Sequence, residues 1–471
     1  MRFIRLIFLS LFLTNLHLNS AALAEKPNLL FLFADDMCYE ALGAVGGEVE
    51  TPHLDRLVER GVTFSNAYNQ GAWNGAVCMA SRAMFATGQF LWRTHRLDET
   101  MDQEAAAGRL WSQRLAAAGY DTYMAGKWHI HTDPAGVFHT VGTIRAGMPE
   151  DVKAGYNRPK SPEDYATGWK PWDRAHGGYW EGGKHWSEVL GDEGTGFLQQ
   201  AAESDAPFFM YLAFNAPHDP RQSPKEYVDK YPLDRIRVPE NFLPEYPYKD
   251  EIGCSARLRD ARLAPFPRTE YSVKVNRQEY YALITHMDDQ IGRLLAALEA
   301  TGKADSTYIL FTADHGLAVG HHGLIGKQNM YEHSVRAPLI LTGPGIPAGE
   351  KRDAPVYIQD LVPTTLDLAG AETPASMQFK SLLPLIRNEV TQTHEAIYGG
   401  YLKLQRMVRK GDYKAIHYPT IAKTRLYNLN EDPQEMHDLA EDPANKPILS
   451  ELAEAFRDLQ EQTGDSLEVQ F

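Results

Sequence analysis

Cysteine is scarce in this chain: Cys38, Cys78 and Cys254 are all it has in 471 residues. Exported proteins braced by disulfides carry many cysteines, normally in even number, so a disulfide framework is excluded. One bridge at most can form, Cys38 to Cys254, which leaves Cys78 over. Cys78 is then either a reactive group or an inert buried thiol. Basic residues are also outnumbered, 47 Lys and Arg against 62 Asp and Glu, for a net charge of −15. Such a field excludes binding nucleic acid or anionic lipid through the whole surface, and an anionic substrate would need a local basic pocket. Long hydrophobic runs are lacking too. The apolar stretch Leu6 to Leu13 is too short to span a bilayer and is followed by Asn15, His17 and Asn19. With Arg2 and Arg5 before it and Ala22-Leu23-Ala24 after it, residues 1–24 read as a secretory signal cut after Ala24. No cysteine stands at the cut for a lipid anchor. The expected location is periplasmic or secreted, with a mature net charge of −17 once Arg2 and Arg5 are gone.

What is present is a regular alternation of apolar strands and amphipathic helices. Asn28–Ala34 (NLLFLFA), Pro207–Asn215 and Thr307–Ala313 are continuous apolar runs, the pattern of strands buried on both faces of a parallel sheet. Helices are expected from Thr51 to Arg60, Leu110 to Ala118 and Tyr280 to Leu298, with another beginning near Ala80 and running to Thr87. Short strands are expected at Val62–Ala67 and Thr122–Ala125. The pattern predicts an α/β fold with a large, mostly parallel mixed sheet sandwiched by helices. After about Ser376 it changes to short strands at 396–401, 404–408, 413–417 and 425–429, then a helix over 447–463. This is a smaller α+β subdomain, an antiparallel sheet plus helix, giving a catalytic domain over 25–375 and a C-terminal subdomain over 376–471. Two long insertions stand out. Residues 136–192 are rich in Gly, Trp and His, and residues 220–268 in Pro and charge. There is no repeat or low-complexity segment.

Polar residues recur just past the strand ends: Asp35-Asp36, Lys127 and His129, His218, and Asp314-His315. Open α/β sheets place ligands there. Hard divalent cations need several oxygens converging from different loops, which Asp35, Asp36 and Asp314 could supply. A histidine in that shell is less usual for calcium. Cys78 sits beside the small residues Gly75-Ala76 at a helix start, where free N–H groups and Arg82 favour an anionic substrate. A thiolate hydrolase would also be activated there, but it would need a histidine partner and no acidic cluster.

Over most of its length the chain resembles the formylglycine-dependent sulfatases of the alkaline-phosphatase-like superfamily. The shared segments are Asp35-Asp36, Thr51-Pro52-His53-Leu54-Asp55, Cys78-Met79-Ala80-Ser81-Arg82, Thr87-Gly88, Gly119-Tyr120-Asp121-Thr122 and Gly126-Lys127-Trp128-His129. Further on come Ala216-Pro217-His218, Thr312-Ala313-Asp314-His315-Gly316, Gly326-Lys327, Leu426-Tyr427-Asn428-Leu429 and Asp432-Pro433-Gln434-Glu435. The resemblance implies that Cys78 is oxidised to formylglycine, whose hydrate attacks sulfur. It implies calcium held by Asp35, Asp36, Asp314 and His315 and touching residue 78. Arg82 and Lys127 would hold the diol, and His129 would take the proton that triggers sulfate release. His218 and Lys327 would bind sulfate, one of them protonating the leaving oxygen. Ala80 stands where the family usually has proline, which implies maturation by an oxygen-independent formylglycine-generating enzyme. His315 stands where many relatives have asparagine.

The superfamily also holds phosphonate monoester and phosphodiester hydrolases, and an inactive sulfated-glycan-binding relative is a further alternative. The Trp172–Trp186 stretch and Trp73 suggest stacking on a sugar, with Arg174, His176, His185 and Arg221 as hydrogen-bond donors. These aromatics could equally be the core of a long loop. A sulfated carbohydrate is the expected substrate, and among sugars the resemblance to bacterial glycan sulfatases favours galactose.

Overall fold

The computed structural model describes residues 26–149 and 152–469, so the expected signal segment and its cut at Ala24 lie outside the described residues. In chain order the strands are β1 (Asn28–Ala34), β2 (Val62–Phe64), β3 (Gly71–Ala72), β4 (Asp121–Lys127), β5 (Thr140–Arg145), β6 (Phe208–Ala213) and β7 (Thr307–Ala313). They continue with β8 (Leu339–Thr342), β9 (Glu350–Arg352), β10 (Ile397–Tyr401), β11 (Gln405–Lys410), β12 (Tyr413–Tyr418) and β13 (Lys423–Asn428). The helices used below are α1 (Pro52–Arg60), α2 (Val77–Thr87), α3 (Trp186–Ala202), α4 (Glu270–Ala300) and α5 (Lys446–Thr463).

The large sheet runs β9-β2-β8-β7-β1-β6-β4-β5. Its centre is parallel, with β1 paired to β7 and β6, and β4 to β6 and β5. β8 is antiparallel to both β7 and β2. All seven residues of β1 are buried, because helices cover both faces. On one face Phe31 meets Phe85 of α2 and Trp111 at ring distances of 5.6 and 5.2 Å. On the other, Leu212 of β6 and Leu294 of α4 close around Gly194 of α3, where an added Cβ would lie 2.8 and 2.6 Å from them. Glycine at 194 lets these helices approach the sheet.

The small sheet runs β13-β12-β11-β10-β3, and Leu452 and Phe456 of α5 pack on Tyr398, Val408, Ala415 and Leu426. Its fifth strand, β3, comes from the N-terminal part of the chain and pairs parallel with β10. Gly71 is needed there, since its φ is 95° and a Cβ would collide with the Gly400 carbonyl oxygen. The N-terminal part of the chain therefore reaches into the small sheet just ahead of Cys78. A buried Lys414, 2.9 Å from Glu332 and 2.8 Å from Glu435, adds a second tie.

Several expectations change. α2 begins at Val77, so Cys78 lies inside its first turn and not ahead of it. β4 extends to Lys127, and α4 starts at Glu270, ten residues before the apolar pattern suggested. The 136–192 insertion contributes the edge strand β5, a Trp180–Glu181/Lys184–His185 hairpin and the start of α3. Cys38 and Cys254 do not pair; all three cysteines are free. The Cys254 thiol points at the Gln328 carbonyl at 3.2 Å, and Cys38 lies beside Tyr280. No helix among the described residues is long and apolar enough to cross a membrane.

Candidate active site

The carboxyl ends of β1, β4, β6 and β7 converge on one buried cluster. β1 and β7 run parallel in register to Ala34 and Ala313, so Asp35 and Asp314 emerge side by side. Backbone bonds fix both: Asp35 N–H donates to the Ala216 carbonyl (3.0 Å) and Asp314 N–H to the Ala34 carbonyl (3.2 Å). Asp36 follows in the left-handed region, φ 72°, which turns its side chain back while its N–H donates to Asp314 Oδ1 at 3.1 Å. A non-glycine residue held there is strained, and such residues gather at functional sites.

Asp35, Asp36, Cys78, Asp314 and His315 each offer one atom, all within 4.8 Å of one another and all buried. The Cys78 sulfur is 3.6 Å from Asp36 Oδ1 and 3.4 Å from His315 Nε2. His315 Nδ1 donates to the Gly316 carbonyl (2.7 Å), so Nε2 is the atom turned inward, 3.0 Å from Asp36 Oδ1. Asp35 Oδ1 is buried with no hydrogen-bond partner. Three crowded carboxylates with one orphaned oxygen, and an imidazole nitrogen aimed among them, fit a divalent cation. Burial and the neighbouring Asp314 carboxylate push Asp35 up to about 7.

Cations surround this acidic centre. The Arg82 guanidinium, one turn beyond Cys78 on α2, lies 3.1 Å (Nε) and 3.0 Å (Nη2) from Asp314 Oδ2 and donates to the Lys127 carbonyl at 2.8 Å. It also stacks 4.6 Å above the Phe33 ring. Lys127, at the end of β4, donates to Asp35 Oδ2. Gly126 before it has φ 93°, and a Cβ there would collide with the Ala213 carbonyl oxygen, which accounts for the Gly-Lys pair. Lys327 Nζ donates to both oxygens of Asp36 (2.9 and 3.0 Å) and to Cys78 Sγ (2.9 Å). His218 Nε2 faces Asp36 Oδ2 at 3.8 Å, while its Nδ1 lies 2.7 Å from the Asp219 carbonyl. His129 has φ 57° and an unpartnered Nδ1; burial, with Lys127 and Arg82 nearby, pushes it down to about 3. Burial pushes the Cys78 thiol up, the opposite of what a thiolate nucleophile requires.

All ten residues expected at the metal and catalytic positions thus share one locality, drawn from separate strands and loops. The expected sugar contacts fare differently. Arg221 is fully buried and bonded through Nη1 to Glu279 (2.9 Å) and Asn276 (3.3 Å) of α4, while its Nε and Nη2 have no hydrogen-bond partner. His185 is likewise buried, capping α3. Arg174 is exposed and lies over the Trp180 ring at 3.9 Å. His176 stacks near Trp169, their ring centres 6.3 Å apart. Trp73 stacks on His95 at 5.2 Å and lines a cleft of about 610 Å³ with Trp92, Arg96 and Leu404. Sequence reasoning missed Tyr179, Asp219, Arg259, Asp260 and Gln328, which back His218 and Lys327. Asp219 and Gln328 adjoin motif residues and Tyr179 lies in the aromatic Trp172–Trp186 stretch; Arg259 and Asp260 carried no signal.

Comparison with known proteins agrees with this geometry. The sulfatase family model matches residues 27–371, and the model for the C-terminal part of N-sulphoglucosamine sulphohydrolase matches residues 320–462. An N-acetylglucosamine-6-O-sulfatase of Bacteroides thetaiotaomicron is 27% identical over 94% of this chain and 88% of its own length. A protein solved in complex with its substrate D-glucosamine-2-N,6-O-disulfate superposes with a TM-score of 0.72 at 25% identity, covering 94% of this chain and 99% of that one. The phosphonate monoester hydrolase of Silicibacter pomeroyi has the same fold, with a TM-score of 0.73 at 21% identity over 94% and 96% of the two chains. The chain belongs to the sulfatase family and is a sulfuric ester hydrolase.

Proposed function

We propose that this protein is an exported carbohydrate sulfatase that works with formylglycine at position 78 and calcium at the acidic cluster. The observation that carries this reading is the position of Cys78: at the N-terminus of a fully buried helix, within 4.8 Å of four metal-ligand candidates and 2.9 Å from Lys327 Nζ. Asp35, Asp36, Asp314 and His315, with residue 78, would hold calcium, which when bound offsets the negative charge of the sulfate oxygens. Formylglycine hydrate supplies one hydroxyl to attack sulfur and a second whose deprotonation expels sulfate.

The chain's own side chains supply the rest. Arg82 and Lys127 fix the nucleophile and neutralise the carboxylates beside it. His129 is held neutral by burial and can accept the proton of the second hydroxyl. Lys327 meets residue 78 and, like His218, faces Asp36, where the two would bind sulfate oxygens and the leaving oxygen. Trp73, Arg174 and His176 are proposed to meet the sugar; the similar proteins named above include an N-acetylglucosamine-6-O-sulfatase and a structure with D-glucosamine-2-N,6-O-disulfate as substrate. Ala80 points to a maturation partner of the oxygen-independent type.

Mass spectrometry of the peptide around Cys78, from protein matured in a competent host, tests the reading. Formylglycine is lighter than cysteine by about 18 Da, the mass change of converting the thiol to an aldehyde. An unmodified thiol there, or full activity in Cys78→Ser, would overturn it. Sulfate release from 6-sulfated glucosamine and galactose, compared with aryl sulfates and phenylphosphonate, distinguishes the substrate classes. Preference for the phosphonate would move the protein to the other branch of the fold.

A further inference from the structure

The 220–268 insertion has no part in the chemistry above, yet it delivers Arg259 and Asp260 to the back of the site. Arg259 grips Asp219 with both terminal nitrogens, Nη1 to Oδ2 at 2.9 Å and Nη2 to Oδ1 at 3.3 Å, and Nη2 also meets Asp260 Oδ1 at 2.6 Å. Both carboxylates are buried, 1% and 2% exposed. Each leads to a group facing Asp36. Asp219 lies 3.4 Å from His218 Nδ1 through its carboxylate, and its carbonyl oxygen lies 2.7 Å from that nitrogen. Tyr179 O–H donates to the same carbonyl at 2.7 Å, closing that arm. In the other arm Gln328 Nε2 donates to Asp260 Oδ2 at 2.9 Å, and Gln328 Oε1 accepts the Lys327 N–H at 3.1 Å.

The two arms meet again on one carboxylate, with His218 Nε2 at 3.8 Å and Lys327 Nζ at 2.9 Å from Asp36. Packing enforces the contact: a Cβ at Gly326 would lie 2.8 Å from Asp260 Cβ, so the residue before Lys327 must be glycine for Asp260 to sit there. A guanidinium suits the joint, because its planar fork can hold two carboxylates at fixed angles and a lysine ammonium cannot.

We propose that Arg259 is a positioning residue: by holding Asp219 and Asp260 together it sets His218 and Lys327 relative to each other on the leaving-group side of the reacting sulfate. This rests on the sulfatase reading. A purely structural role would lower stability and depress every reaction alike. A positioning role falls hardest on substrates whose leaving oxygen needs a proton, because small misplacements of reacting groups are costly there.

The test uses the matured full chain with Arg259→Lys, and Asp260→Asn as a second variant should the first fail to fold. The substrates are 4-nitrophenyl sulfate, whose leaving group departs without a proton, and the most reactive sulfated monosaccharide of the panel above. The expected result is a kcat loss of about 10²-fold on the sugar sulfate but under about 10-fold on the nitrophenyl ester, with KM changed less than about threefold. Equal losses on both esters that follow a drop in Tm would overturn the proposal in favour of a structural role. A rise in KM alone would overturn it in favour of direct substrate contact, and unchanged kinetics would dismiss it. A matured wild-type enzyme inert on both esters would overturn the underlying sulfatase reading, and this inference with it.

Discussion

Lys327 Nζ stands 2.9 Å from Cys78 Sγ and 2.9 Å from Asp36 Oδ1, so one buried ammonium bridges the proposed nucleophile position and a metal-ligand candidate. Burial opposes its charge, but the Asp36 carboxylate outweighs that and holds Lys327 well above the usual lysine range. It is therefore a permanent cation, suited to bind a sulfate oxygen and unsuited to take up a proton.

Replacing Lys327 with methionine keeps the length and volume and removes that charge. The expected loss in kcat is about 10²- to 10³-fold, the range seen when a preorganised electrostatic partner is deleted. Steady-state sulfate release checks it, with circular dichroism to confirm the fold. Activity within about threefold of wild type would remove Lys327 from the machinery, since that is less than about 1 kcal/mol of barrier.

Metal binding should be visible without any turnover. Asp35, Asp36 and Asp314 are packed together with one orphaned oxygen, so the folded state gains when a cation fills the cluster. Calcium at 100 times its Kd would stabilise by about 2.7 kcal/mol, provided it does not bind the unfolded chain. Thermal unfolding before and after chelation measures this. The expected Tm falls on chelation and recovers with Ca²⁺ but not Na⁺, and Asp314→Asn is expected to lose most of the response. A Tm indifferent to chelator would count against a metal at this cluster.

A pH dependence is built in beyond the site. His321 and His322, in the loop that carries Lys327, and His333 just after it are buried together, with His322 stacked on Tyr331 at 3.9 Å and His321 on His333 at 5.1 Å. Burial lowers all three, His322 to about 4. A histidine whose folded value lies below its unfolded value stabilises fully above pH about 6.5 and loses that contribution as pH falls. Each one costs about 1.4 kcal/mol per pH unit over that interval. These histidines therefore pull Tm down between pH 7 and pH 5, against the buried Asp288 and Glu435 carboxyls, pushed up to about 7, and a His333→Gln variant should lose part of that pull. A slope unaltered by that substitution would show that these histidines are not what titrates.

The sequence was most legible where its physics is local. An apolar run such as Asn28–Ala34 can only be satisfied by burial on both faces, so the parallel strand and the placement of Asp35-Asp36 at its end followed from composition. The late switch to short strands and one helix matches β10–β13 and α5 within a residue or two. Boundaries governed by packing were less legible. α2 starts three residues early because Val77, Cys78 and Met79 are buried despite no helix-capping signal. The edge strand β5 was invisible because its residues are only partly buried and lack an apolar pattern.

What the sequence by itself determined is the chemical cast: Cys78 with Arg82, Asp35-Asp36 and Asp314-His315 after two buried strands, and the lysines and histidines beside them. Their types and order already imply a densely charged site with carboxylates able to take a cation. Only the tertiary structure decided who touches whom. It sent Arg221 into an ion pair with Glu279, left Cys38 and Cys254 apart, and recruited Arg259 and Asp260 from an insertion that had no readable motif. Motifs record which groups a reaction needs. The distances between groups far apart in the chain are fixed by the packing of every element between them, and no local pattern encodes that.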